Sequence, residues 1–196
     1  MSKNLKTLKK FIDKRIWFWN TVDLFRYDLP RFFRNLWLFR KNLWDHTWYN
    51  GSGSILPWVK TAVDDMAWRL EKYGHEVDES RLKKVAKMRR LSYLLDVCVH
   101  EKYVDIAEEE LGDMIFHEWE FIPVEGSDNL FTLKDAETPE EKEHNSKIIK
   151  RSHEIQKQHW DEICQIIKGP DYDKIRNSDK DFDELYDGSD IRAWWD

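Results

Sequence analysis

The sequence predicts a mainly α protein: a single-domain helical bundle of five or six helices with one small β-hairpin insertion. Three observations carry this expectation. Gly and Pro together fill only 12 of 196 positions while Lys, Glu, Leu and Ile are abundant, a balance that favours helix over a many-stranded sandwich. Apolar residues recur at helical spacing through most of the chain. That period gives way once, near residues 116–133, to alternation bounded by turn residues.

Taken in order, Leu5, Leu8, Ile12, Ile16 and Trp19 form the stripe of a basic helix over 3–20, flanked by five lysines from Lys3 to Lys14. Such a helix suits an acidic partner surface or, less commonly, an anionic membrane. Asp28 is placed to cap a second helix with Pro30 in its first turn, reaching Trp48. These basic, aromatic-rich helices occupy 1–48, and the Gly/Ser-rich stretch 49–56 reads as a linker. Helices follow within 57–111. The first runs from Pro57 to Tyr73 on Val59, Ala62, Val63, Met66 and Leu70, stopped by Gly74. The next, capped by Asp78, runs from Glu79 to His100 on Val85, Met88, Leu91, Leu95 and Val99. A short one spans Tyr103 to Leu111 and ends at Gly112. A hairpin is expected over 115–134, with strands near 116–121 and 130–133. Thr138, with Glu141 three positions on, is a capping box opening a long helix over 139–168 on Ile148, Ile155, Ile163 and Ile166. The helical domain thus extends over 1–169. Residues 170–196 form an acidic C-terminal tail, with Ile191, Trp194 and Trp195 as its anchor.

Net charge is −6, but residues 1–60 carry +8 and residues 61–196 carry −14. Seven of the eleven tryptophans fall within the first 68 residues. A basic, aromatic-rich block facing an acidic remainder indicates mutual neutralisation, within one copy or in a homo-oligomer. It also fits recruitment of a nucleotide or an acidic protein, with nucleic acid less favoured. Cys98 and Cys164 both lie in apolar helical patterns and read as free buried thiols in a reducing compartment. No 18-residue apolar run exists, so no membrane span is predicted. The basic N-terminus lacks the apolar core of a signal peptide, and the expected location is cytoplasmic.

The stretch Leu29–Trp48 holds the candidate site. At about 100° per residue, Leu29, Phe32, Phe33, Leu36, Trp37, Leu43, Trp44 and Thr47 share one broad face. Arg40 falls near its centre, and Arg31, Arg34 and Lys41 lie opposite. An arginine walled by aromatics needs an internal carboxylate or a bound anion. Arginine forks on phosphate, with aromatic stacking on a base, are the chemistry of nucleotide recognition. Arg31, Arg34, Trp37, Arg40, Lys41 and Trp44 are therefore the candidate ligand-binding residues.

Other constellations are weaker. His153 and His159 lie six residues apart, hence about 120° apart on a helix, too far to share a metal comfortably. His159 falls on the Ile stripe and reads as a hydrogen-bonded core histidine. Asp179, Asp181 and Asp183 have the spacing that opens an EF-hand loop, but Glu184 stands where Gly is required and Asp190 where Glu is usual. The string Glu108-Glu109-Glu110-Leu111-Gly112-Asp113 is similar to the second acidic motif of the MazG-like all-α nucleotide pyrophosphohydrolases. That resemblance implies Mg²⁺ held by Glu109, Glu110 and Asp113 against a triphosphate. The family's earlier Glu-Glu-x-x-Glu helix has no counterpart here, because residues 81–90 are strongly basic.

The segment from Tyr27 to Trp37, the ending from Asp187 to Asp196, and the regions around Glu143-His144-Asn145 and Trp160-Asp161-Glu162 resemble uncharacterised proteins of tailed bacteriophages. The resemblance implies service to a phage in the host bacterial cytoplasm and brings no catalytic residues. The expected function is a non-enzymatic phage accessory binding protein, with counter-defence as one form of that role. It would engage a host protein or sequester an anionic small molecule such as a nucleotide signal, without a cofactor. The alternatives are the Mg²⁺-dependent pyrophosphohydrolase and a structural virion component.

Overall fold

A computed structural model describes residues 21–45, 55–118, 120–123, 130–133, 137–177 and 185–194. The chain separates into two compact units, residues 1–54 and 55–196, and the break falls inside the Gly/Ser-rich stretch. The expectations for the helix over 3–20, Thr47 and Trp48, the EF-hand-like aspartates and Trp195 lie outside the described residues.

In the first unit one helical path runs from residue 21 to Asp45 in three parts: a π-helical turn over Leu24–Asp28, α1 over Leu29–Leu38 and α2 over Arg40–Asp45. Asp28 is not a cap. It has α-helical dihedrals and accepts no capping hydrogen bond, because the helix continues through it. The widened turn follows from Pro30, which lacks an N–H and whose ring would clash with the carbonyl four residues back. Here the Leu29 N–H reaches the Leu24 carbonyl, five residues back. A second interruption falls at Phe39, whose φ of −91° and ψ of 7° separate α1 from α2.

The second unit is mainly α with a single two-stranded hairpin among its described residues. Its helices are α3 over Leu56–Tyr73, α4 over Asp78–Val99, α5 over Tyr103–Leu111, α6 over Pro139–Lys168 and the short α7 over Tyr172–Arg176. Helices α3 and α4 pack together across a four-residue connection, α5 packs on α6, and α4 also touches α6. One apolar cluster joins Val63, Ala67 and Leu70 of α3 to Met88, Leu91 and Leu95 of α4 and Ile163 and Ile166 of α6. A second joins Val97 and Tyr103 to Ala107, Ile148 and Ile155. Helix α4 has neighbours on two sides, so it buries Leu94 and Val97 as well as Val85, Met88, Leu91 and Leu95 of its predicted stripe, while Val99 is only partly buried. On α3 the stripe is rotated slightly: Ala62 is exposed and Ala67 is fully buried.

Thr138 accepts from the Glu141 N–H while Glu141 accepts from the Thr138 N–H at 2.7 Å, which completes the capping box of α6. Asp78 does not cap α4. It is the first helical residue, and its carboxylate accepts from Arg81 at 2.6 Å.

The hairpin is shorter and later than its alternation suggested. Strand β1 is Phe121–Pro123 and β2 is Phe131–Leu133, paired antiparallel with Ile122 opposite Thr132. Upstream, side chains of helices occupy the backbone instead. Asn145 accepts from the Ile115 N–H and donates to the Ile115 carbonyl, and Glu108 accepts from the Met114 N–H.

Of the C-terminal residues, Trp194 is 2% exposed and belongs to the larger cluster. Its Nε1–H donates to the Gly188 carbonyl at 2.8 Å. Gly188 has φ of +88°, and a Cβ there would run into the Lys83 carbonyl. Only glycine lets this segment approach α4 so closely.

Candidate functional site

Helix residues 21–45 contain no buried side chain. Phe25, Tyr27, Phe32, Phe33, Leu36, Trp37, Leu43 and Trp44 are exposed by 44% to 89%, the last figure belonging to Trp44. Arg31, Arg34, Arg40 and Lys41 are exposed among them.

Arg40 is therefore not a buried charge, and the need for an internal carboxylate disappears. Its guanidinium stacks on the Trp37 ring, 4.0 Å from the centroid, and donates to the Trp37 carbonyl at 2.6 Å. The interruption at Phe39 brings the two together. Stacking and one backbone bond hold the planar cation while leaving most of its five donors unused by these contacts. Arg34 donates to Asn35 at 3.1 Å, and Phe32 meets Phe33 edge-on with centroids 5.5 Å apart. Arg40 and Trp37 are thus in contact, while Trp44 stands most exposed one turn further on. The π turn just upstream is an irregularity often associated with functional sites.

The acidic string does not converge. Arg151 grips Glu110 through two bonds, of 2.6 and 3.2 Å, and holds its carboxyl below the ordinary range. Glu109 is exposed, and Asp113 contributes its carbonyl as acceptor from His144 at 3.1 Å when that nitrogen is protonated. Among the described residues no three His, Cys, Asp or Glu side chains are placed to hold a metal ion.

His159 departs from its expectation. It is half-buried against the Tyr103 ring, yet its Nδ1 is buried without a hydrogen-bond partner. Burial first, then the nearby Arg90, lowers its pKa, with Glu162 opposing. His153 is exposed. Cys98 is partly buried and accepts from the Tyr103 hydroxyl at 2.8 Å, whereas Cys164 is exposed. A turn of α6 that buries Ile163 and Ile166 leaves the intervening Cys164 facing outward.

The second unit also carries a cleft of about 320 Å³ at the start of α4, lined by Glu76, Glu79, Ser80, Lys83 and Tyr186. Sequence reasoning missed it. Tyr186 is about a hundred residues from Glu76, and an isolated aromatic in an acidic tail was its only signal.

Comparison with family models, curated proteins and solved structures finds no match. No helix among the described residues is long and apolar enough to cross a membrane.

Proposed function

We propose that the protein is a non-enzymatic binding protein that engages a partner protein through the helix over residues 21–45. The observation that carries this reading is the exposure of eight large apolar side chains, Phe25 to Trp44, on one short helical path. Exposed apolar patches of this kind mark interaction sites. Tryptophan, tyrosine and arginine are the residues that dominate binding energy at interfaces.

A convex amphipathic helix suits a groove on a macromolecule, whereas a small ligand needs concavity to bury its surface. Arg31, Arg34, Arg40 and Lys41 favour a groove with an acidic rim, because complementary charge speeds encounter and sets orientation. In the reading that the phage resemblance suggests, this partner is a host protein in a bacterial cell. Sequestration of an anionic nucleotide by the Arg40–Trp37 pair is the competing form of the same role.

Native mass spectrometry of the protein purified from a bacterial lysate tests both. The expected result is a co-purifying polypeptide that is lost in Trp37→Ala and Trp44→Ala variants of unchanged helicity. A retained mass of a few hundred daltons, lost in Arg40→Met, would replace the protein partner with a nucleotide-sized ligand. A clean mass, or a polypeptide retained by every variant, would remove this helix as the recognition element.

A further inference from the structure

Residues 187–194 form a bend on the second unit that owes nothing to the helix over 21–45. Its polar groups largely satisfy one another. The Asp187 carboxylate accepts from the N–H and the hydroxyl of Ser189, and the Gly188 carbonyl accepts from the Trp194 indole. Asp190 accepts from the Arg192 N–H and, through both carboxylate oxygens, from the Arg192 guanidinium. The Asp190 carbonyl accepts from the Ala193 N–H at 2.9 Å. Together these bonds hold Asp190 at φ of +89°, a conformation that a non-glycine residue keeps only when its neighbours impose it.

Among the described residues fewer polar contacts cross from this bend to the helices. Asp190 donates its N–H to the Ile166 carbonyl at 2.9 Å and accepts from the Tyr172 hydroxyl at 2.8 Å, and Asp187 pairs with Lys87. The rest of the attachment is apolar. Trp194, 2% exposed, belongs to the cluster shared by α3, α4 and α6, and Ile191 packs against the same cluster. Gly188 sets the closeness of fit, since a Cβ there would stand 2.4 Å from the Lys83 carbonyl. A bend that bonds internally and attaches by burying side chains has the character of a preorganised peptide ligand, whose ordering cost is met largely within itself.

We propose that the seat on α3, α4 and α6 is a recognition site for this bend, filled in cis within one copy and able to take the same bend from a second copy. The contacts that one copy's segment gives up are the contacts that its replacement makes, so exchange costs little beyond the loss of tethering. Tethering decides which occupant wins. A covalently joined bend competes at a high effective concentration, so the second copy's bend enters only where the resident one is weakened.

The test uses the full chain and a fluorescently labelled peptide of residues 185–194, which stands in for the second copy. Gly188→Ala in the full chain pushes the resident bend off the Lys83 backbone without altering a side chain of the apolar cluster. Fluorescence anisotropy should show saturable peptide binding, about tenfold or more tighter to the Gly188→Ala chain than to the wild type. The peptide should lose binding when it carries Gly188→Ala or Trp194→Ala itself. Native-state hydrogen exchange of the wild type gives a second readout. The Asp190 amide should exchange about tenfold or more faster than those of Leu91 and Leu95, through local release of the bend. Equal binding by wild type and variant, binding that survives Trp194→Ala in the peptide, or no binding to a folded Gly188→Ala chain would each overturn the proposal. So would exchange of Asp190 only with global unfolding. A Gly188→Ala chain that loses its helical circular dichroism would overturn it too, because the seat would then not exist apart from its own bend.

Discussion

The two most informative residues, Trp194 and Arg40, depend on opposite environments. Trp194 is sealed among Leu91, Ile163 and their neighbours, with its indole N–H satisfied. Trp194→Ala should therefore cost about 3–5 kcal/mol, read as a lowered urea midpoint. Arg40 lies on the surface, and its stacking on Trp37 contributes at most about 1 kcal/mol there. Arg40→Met should leave the unfolding midpoint almost unchanged, so any loss of binding can be ascribed to the contact itself. The two thiols differ in the same way. Burial pushes the Cys98 thiol up, against a lowering contribution from the Tyr103 hydroxyl, while Cys164 is exposed. An aromatic disulfide reagent should modify Cys164 rapidly in the native protein and Cys98 only as it unfolds. One fast and one slow phase is the expected record, and two fast phases would contradict the burial of Cys98.

At the scale of elements, the helix ends show how far local chemistry reaches. The capping box of Thr138 and Glu141 can be read directly from residue type and spacing, because both partners sit in the turn they close. Thr138→Ala should cost about 1 kcal/mol of stability, measured by denaturant unfolding. Asp78 looked equivalent, yet its carboxylate turns to Arg81, since a charged neighbour one turn on outcompetes a backbone N–H. The strand expectation at 116–121 failed for a related reason. Alternation describes a chain that can pair with another strand, but Asn145 and Glu108 already hold the backbone at 114 and 115. Pairing begins only at Phe121, beyond these contacts. In the helix over 21–45, Pro30 signalled a helix start, and the structure instead absorbs it in a widened turn. Pro30→Ala should restore ordinary α spacing and move the Leu29 N–H from the Leu24 to the Phe25 carbonyl, detectable by hydrogen-bond scalar couplings.

For the whole molecule, the buried members of the two apolar clusters among the described residues lie between Val63 and Trp194. A chain of residues 55–196 should therefore keep cooperative thermal unfolding, and a non-cooperative melt would show that residues 1–54 complete its core. Stability should also fall on the acid side in two stages. His159 has a lowered pKa, so the unfolded chain takes up its proton first. Its contribution is present above about 6.5 and is lost as pH falls below that value toward the folded pKa. His159→Phe should flatten that part of the curve. Asp190 is held low mainly by Arg192, and Glu162 mainly by Arg90. Their contribution is present above about 4 and is lost as pH falls further through their depressed values.

What local pattern could specify was the mainly α class, the bounds of α3, α5 and α6, and the four isoleucines of α6. These depend on helical period, Gly and Pro positions and one capping box, all of which act within a few residues. The exposure of the aromatic helix was not legible, since the same stripe serves a core or a binding face and only the surroundings distinguish them. Nor was the cleft, which joins Glu76 to Tyr186 across a hundred residues through a glycine packed against Lys83. Such a site exists only once distant segments meet, and no spacing along the chain records that meeting.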